Sequence, residues 1–190
     1  MAAYLIYVVG ASGCGKDSLM AHARQHLASE PGVCFAHRYI TRPADAGGEN
    51  HVALSEAEFS ARLAGRLFAL HWHSHGLRYG VGTEINQWLA KGISVVLNGS
   101  RAYLQEARQR YPELLPVVID VSPEVLRQRL LARGREDTEE VERRLARHAR
   151  LRKGTPSGAL VIHNDGPIEQ GGEALVALIR RYSRGNSACA

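Results

Sequence analysis

Tyr4-Leu5-Ile6-Tyr7-Val8-Val9 runs into Gly10-Ala11-Ser12-Gly13-Cys14-Gly15-Lys16-Asp17-Ser18, and Leu19, Met20, Ala23 and Leu27 follow at helical spacing. The β-branched and aromatic run predicts a strand, the glycines end it, and the apolar period predicts a helix over 16–28. Strand, glycine loop and helix open an α/β domain. The loop has the spacing G-x-x-x-x-G-K, in which backbone N–H groups converge on phosphate oxygens and the lysine reaches the β- and γ-phosphates. Gly10, Ala11, Ser12, Gly13, Cys14, Gly15, Lys16, Asp17 and Ser18 are therefore the expected ATP site, with Lys16 neutralising charge during transfer. The positive end of the following helix points at the same oxygens and adds roughly 0.3 to 2 kcal/mol, depending on burial. Ser or Thr usually follows the lysine of such a loop and binds Mg²⁺ through its hydroxyl. Asp17 stands there instead, with Ser18 one place on; a carboxylate is a hard oxygen ligand, so both are candidate Mg²⁺ ligands.

Working outward, Val33 to Ile40 reads as an extended stretch leading to a polar loop at 43–50. Ser55-Glu56-Ala57-Glu58 is a capping box that starts a helix to about Ala64. A strand is expected over 67–72, a glycine-rich loop over 73–82 and a short helix over 83–91. Ile93 to Leu97 is apolar without alternation, as in a parallel strand covered on both faces, and its end should face the nucleotide. A helix over 100–111 and a strand over 115–121 follow. Ser122-Pro123 caps a helix to about Arg133, and Asp137 caps a long charged helix to Arg152. A strand over 159–163 and a helix over 167–184 complete one kinase domain over 1–184, with 185–190 as a flexible tail. The alternation predicts a parallel, doubly wound sheet flanked by helices, of the P-loop nucleoside-triphosphate hydrolase type.

The 190 residues carry a formal charge of +5, and all but three of the 24 basic residues are arginine. Arginine grips phosphate with a two-bond fork, although a genome-wide preference for arginine codons gives the same bias. The basic charge comes without a compact nucleic-acid recognition motif. The longest early apolar run is too short to span a bilayer and lacks the cationic flank of a secretory signal, so a cytoplasmic chain is expected. Cys14, Cys34 and Cys189 lack disulfide or zinc spacing and are read as reduced thiols.

Basic residues cluster in two places. Arg38 and Arg42 precede the polar loop, where a second substrate's phosphates would be held. Leu126 to Arg135 reads LRQRLLARGR, with Arg129 and Arg133 one turn apart and Arg135 beyond Gly134. Such a cluster beside a glycine suits a segment that closes over the γ-phosphate. Arg143, Arg144 and Arg147 are read instead as a solvated face paired with Glu139, Glu140 and Glu142.

The phosphate loop, Thr41-Arg42-Pro43, Trp72 with Tyr79-Gly80, the RL-x-x-RG run at 129–134 and Asn164-Asp165 resemble guanylate kinase in order over nearly the whole chain. The resemblance implies a guanylate-kinase-like fold with a substrate-binding segment at about 37–82 and an arginine lid at about 133–150. The positions that read guanine in that family differ: His71 replaces a glutamate, and Ala44 or Asp45 stands where a second arginine is usual. Losing both should weaken guanine nucleotide binding by several kcal/mol.

The segments GKDS at 15–18, HRYITR at 37–42, ENHVALSE at 49–56, YGVG at 79–82, NGSRA at 98–102 and VSPEVLRQRL at 121–130 are similar to the ribose 1,5-bisphosphate phosphokinases of phosphonate breakdown. Asp17 and Asn98 separate that family from guanylate kinase. The resemblance implies ATP-dependent phosphorylation of ribose 1,5-bisphosphate to 5-phosphoribosyl 1-diphosphate. Lys16, Arg133 and Arg135 then carry catalysis, and Arg38, Arg42, Glu49, Asn50, His51, Tyr79, Asn98 and Arg101 are expected to contact ribose or phosphate. The expected partner is a small sugar phosphate, with neither nucleic acid nor membrane involved, and with the chain acting alone or as a homodimer. Guanylate kinase activity and a non-catalytic nucleotide-binding module are the rival readings.

Lys16→Ala is expected to lower ATP-dependent turnover at least about 100-fold, the scale for one lost preorganised donor. Steady-state ADP release measures it, and undiminished turnover would overturn the reading of the loop.

Overall fold

The computed structural model describes residues 3–46, 49–134 and 137–184. β1 (Leu5–Gly10), β2 (Val33–Phe35), β7 (Ser94–Asn98), β8 (Leu115–Asp120) and β9 (Leu160–His163) form a parallel sheet in the order β2-β7-β1-β8-β9. Alternate residues of β1 serve opposite faces. Ile6 and Val8 pack with α1 (Lys16–His26), α5 (Pro123–Arg133), α6 (Thr138–Lys153) and α7 (Ile168–Arg184). Leu5, Tyr7 and Val9 face α3 (Glu84–Ala90), α4 (Leu104–Arg110) and part of a second sheet. Because both faces are covered, the strand reads as an unbroken apolar run.

The second sheet joins β4 (Val52–Ala53), β3 (Tyr39–Ile40), β6 (Leu77–Gly82) and β5 (Phe68–Ser74), with α2 (Glu56–Ala64) beside it and a 3₁₀ turn at Ala44–Ala46. Two expectations are corrected here. The stretch over 33–40 is split between the two sheets, so the chain leaves the main sheet after Phe35. The expected loop over 73–82 is an antiparallel hairpin, closed by His75 and Gly76 with φ of 51° and 73°. Two successive left-handed residues are what a tight hairpin turn of primed type requires. Gly80 looked like a loop glycine because strands disfavour it. A Cβ there would collide with the Phe68 ring, which covers the bare backbone.

The capping readings hold: Ser55 and Glu58 exchange the two hydrogen bonds of a capping box, Ser122 Oγ accepts from Val125 N, and Asp137 Oδ1 accepts from Glu140 N. The helix expected from Ser100 starts at Leu104 instead. Tyr7, fully buried, explains the delay. Its hydroxyl accepts from Ser100 N at 2.9 Å and donates to Ser100 O at 3.0 Å, and Gly99 admits the ring where a Cβ would not fit. Segment 99–103 is thereby held as a turn at the strand edge. No helix among the described residues is long and apolar enough to cross a membrane. Residues 185–190, the expected tail, lie outside the described residues.

Tyr7→Phe should strip both hydrogen bonds from Ser100 and destabilise the fold by about 1–3 kcal/mol. A lower urea midpoint at unchanged m-value is the expected outcome.

Candidate active site

β1 ends at Gly10, and the turn to α1 needs two left-handed residues, Gly13 at φ 89° and Gly15 at φ 84°. Gly15 is the N-cap of α1 and has no side chain with which to satisfy the first-turn N–H groups, which leaves them for a ligand's oxygens. From below, Leu126 and Leu130 pack against Gly13, and Asn164 Nδ2 donates to Cys14 O at 2.8 Å. Cys14 is fully buried, and burial pushes its thiol up, away from reactivity.

Lys16 begins a chain of polar contacts. Its Nζ donates to Asp17 Oδ1 at 3.0 Å and to Asn98 Oδ1, and Asn98 Nδ2 donates to Asp17 Oδ1 at 3.0 Å and to Glu49 Oε2 at 2.5 Å. Glu49 is gripped by both arms of Arg38, with Nε to Oε1 at 2.7 Å. Arg38 lies 5.0 Å from the Tyr79 ring centroid and 6.0 Å from that of Trp72, and those rings stack on each other. Partial burial works against charge on Asp17, but Lys16, Arg38 and the Asn98 amide outweigh it and hold the carboxyl below the ordinary aspartate value. Asp17 is accordingly ionised at neutral pH.

Gly10 to Ser18, Arg38, Tyr79 and Arg101 surround one cleft of about 1220 Å³, although Cys14 itself points into the core. Arg101 Nη2 also donates to Gly154 O at 3.0 Å. Glu49 and Asn98 join the cleft through Lys16 and Arg38. Arg42, Asn50 and His51 are placed differently, within the 37–51 segment's own network. Arg42 Nη2 lies 3.2 Å from His51 Nδ1, and His51 Nε2 lies 3.2 Å from Arg42 O. Asn50 Nδ2 donates to His37 Nε2 at 3.1 Å; burial and the nearby Arg24 lower that imidazole's pKa, which suits it as an acceptor. His71 is likewise held below its usual range, by burial first and then by Arg110 and Arg78.

The opposite wall is α6. Glu140, Arg143, Arg144, Arg147 and His148 line the cleft, and Arg144 Nη1 donates to Ser12 Oγ of the phosphate loop at 3.2 Å. Arg143 and Arg144 do pair with Glu140, at 2.8 and 3.2 Å, and Arg143 and Arg147 are exposed as a solvated face requires, but the solvent they face is that of the cleft. The signal was present in Arg143/Arg147 and Arg144/His148, each one helical turn apart. Asp120 anchors the helix from the end of β8, with Arg152 Nε at 3.0 Å and His148 Nε2 at 3.8 Å. Arg133 ends α5, and its side chain, like all of Arg135, lies outside the described residues.

A phosphate loop at the C-terminal end of the central strand of a parallel sheet, faced across one cleft by the arginines of α6, defines a P-loop phosphotransferase. No family model matches the chain. It is 61% identical over 176 residues to ribose 1,5-bisphosphate phosphokinase PhnN of Thiobacillus denitrificans, covering 92% of each chain. It is 60% identical over 175 residues to the protein of that name from Desulfomicrobium baculatum, covering 92% of this chain and 93% of the relative. Among solved structures it resembles guanylate kinase from Anaplasma phagocytophilum, with a TM-score of 0.67 and 17% identity over 100% of this chain and 90% of that one. The chain belongs to the ribose 1,5-bisphosphate phosphokinase family, and its fold is guanylate-kinase-like.

Removing Arg144 should cost one charged hydrogen bond of about 1.5–3 kcal/mol, which is about 10- to 150-fold in kcat/KM for ATP. Arg144→Ala should change stability by no more than about 0.5 kcal/mol. Kinetics and urea unfolding measured side by side check both statements.

Proposed function

We propose that this chain transfers the γ-phosphoryl group of ATP to the 1-phosphate of ribose 1,5-bisphosphate, giving 5-phosphoribosyl 1-diphosphate and ADP. One observation carries the reading: Asp17 and Asn98, two of the departures from guanylate kinase, sit together in the contact chain from Lys16 to Arg38. The identity to phosphokinases of that name supports it.

The attacking atom is an oxygen of the acceptor's 1-phosphate, already anionic at pH 7. A new P–O bond forms to the γ-phosphorus, the bond to the β,γ-bridging oxygen breaks, and the electron pair leaves with ADP. The step needs no general base, so this chain contributes position and charge. The loop amides and Lys16 take the β- and γ-phosphates. Arg144, with Arg143 and Arg147, closes from the α6 side, while Arg133 and Arg135 keep the lid role their motif implies. Arg38, Tyr79 and Arg101 face the acceptor, and Arg42, Asn50 and His51 shape its segment from behind.

Asp17 fits Mg²⁺, being an ionised hard-oxygen donor at the first turn of the phosphate-binding helix, with Ser18 beside it. The ion would neutralise charge on the transferring phosphates. Guanine is poorly served, because a histidine held toward its neutral form at 71 offers no carboxylate to the base edge. The activity belongs to phosphonate degradation in the cytoplasm.

The test offers ATP with ribose 1,5-bisphosphate, ribose 5-phosphate or GMP and follows products by phosphorus NMR. A diphosphate resonance with the first acceptor alone is expected. Equal turnover on GMP would defeat the reading.

A further inference from the structure

At the end of α1 away from the phosphate loop, His22 and His26 stand one helical turn apart and meet Glu173 of α7. Their rings stack with centroids 4.0 Å apart and planes 18° from parallel. His22 Nε2 lies 3.0 Å, and His26 Nε2 3.6 Å, from the same oxygen, Glu173 Oε1. We propose that these three side chains form a binding site for a divalent transition-metal ion, with Zn²⁺ the best match, which ties the phosphate-binding helix to α7. This inference is independent of the phosphoryl-transfer reading.

The donor separations suit the ion, and the stacked rings reach it by turning about χ2 so that both Nε2 lone pairs converge. With zinc bonds of about 2.0–2.1 Å, the edge of a tetrahedral ligand set is about 3.4 Å, and the two separations observed bracket that length. All three donor atoms lie within 4.8 Å of one another, and among the described residues this is the one such cluster of three.

Two further observations prepare it. His26 Nδ1 lies 2.9 Å from His22 O. An N–H can donate there only from Nδ1, which leaves the lone pair on Nε2, facing Glu173; metal-bound histidines are oriented by this kind of outer hydrogen bond. Gly172 is the second. A Cβ at that position would run into the His22 ring, so glycine lets the imidazole lie against α7. His26 and Glu173 are about half exposed, so an ion can enter and hold water as a fourth ligand. Two nitrogens in the set disfavour Mg²⁺, which prefers oxygen and keeps its waters, so the site is chemically distinct from Asp17.

The full chain, stripped with a chelator and free of nucleotide, is titrated with Zn²⁺ by calorimetry while its melting is followed. One saturable site of micromolar or tighter affinity and a melting temperature raised by Zn²⁺ but not by Mg²⁺ are expected. His26→Ala and Glu173→Gln, both outside the phosphate cleft, should each weaken Zn²⁺ binding at least about 10-fold. Basal ADP release and circular dichroism should stay unchanged. Affinity equal to wild type in either variant, or no saturable uptake near one ion per chain, would overturn the proposal and leave a surface ion pair. Should a variant fail to fold, histidine side-chain NMR of the wild type decides: Zn²⁺ must perturb the His22 and His26 nitrogens together.

Discussion

Asn98 uses both ends of one amide to hold the site together. Its carbonyl oxygen accepts from Lys16, and its nitrogen donates to Asp17 and Glu49. The parallel register places it there, since Asn98 is opposite Val8, two residues before the glycine loop begins. A neutral side chain is what the charges demand. Lys16 and Arg38 already face Asp17 and Glu49, two cations against two carboxylates in a half-buried cluster, and a third carboxylate at 98 would repel both. An amide donates to the carboxylates and accepts from the ammonium at once.

The wall of the cleft that Trp72 and Tyr79 line is built on aromatic contact. Trp72 stacks on Tyr79 at 5.5 Å and 1°, and on Tyr103 at 5.5 Å, which fastens the hairpin to the turn that Tyr7 holds at Ser100. Trp72, Leu70 and Val81 belong to the same apolar cluster as Leu5, Tyr7 and Val9. The small sheet therefore rests on the large one through side chains while sharing no strand with it.

Much of this was legible in the residues. The phosphate loop, the caps at Ser55, Ser122 and Asp137, and the parallel core announce themselves because local chemistry decides them: glycines permit left-handed turns, and short polar side chains end helices. What was hidden depends on partners far away in the chain. Gly80 looks like loop until Phe68 covers it, and Ser100 looks helical until Tyr7 claims its backbone. The cleft-lining face of α6 was hidden for another reason. Arg143 and Arg144 have glutamate neighbours on their own helix, and only the anchoring of His148 and Arg152 on Asp120 turns that face to the cleft. Glu49 stands out in its motif, whereas its grip on Arg38 does not.

Because the chain, among the described residues, crosses between the two sheets before Tyr39 and after Gly82, the small sheet is a plate on two tethers, latched by Glu49 to Asn98. The same amide that latches the plate also steadies Lys16. Lys16 and Glu49 thus share one amide, and whatever moves Lys16 bears on the contact that Asn98 makes with Glu49.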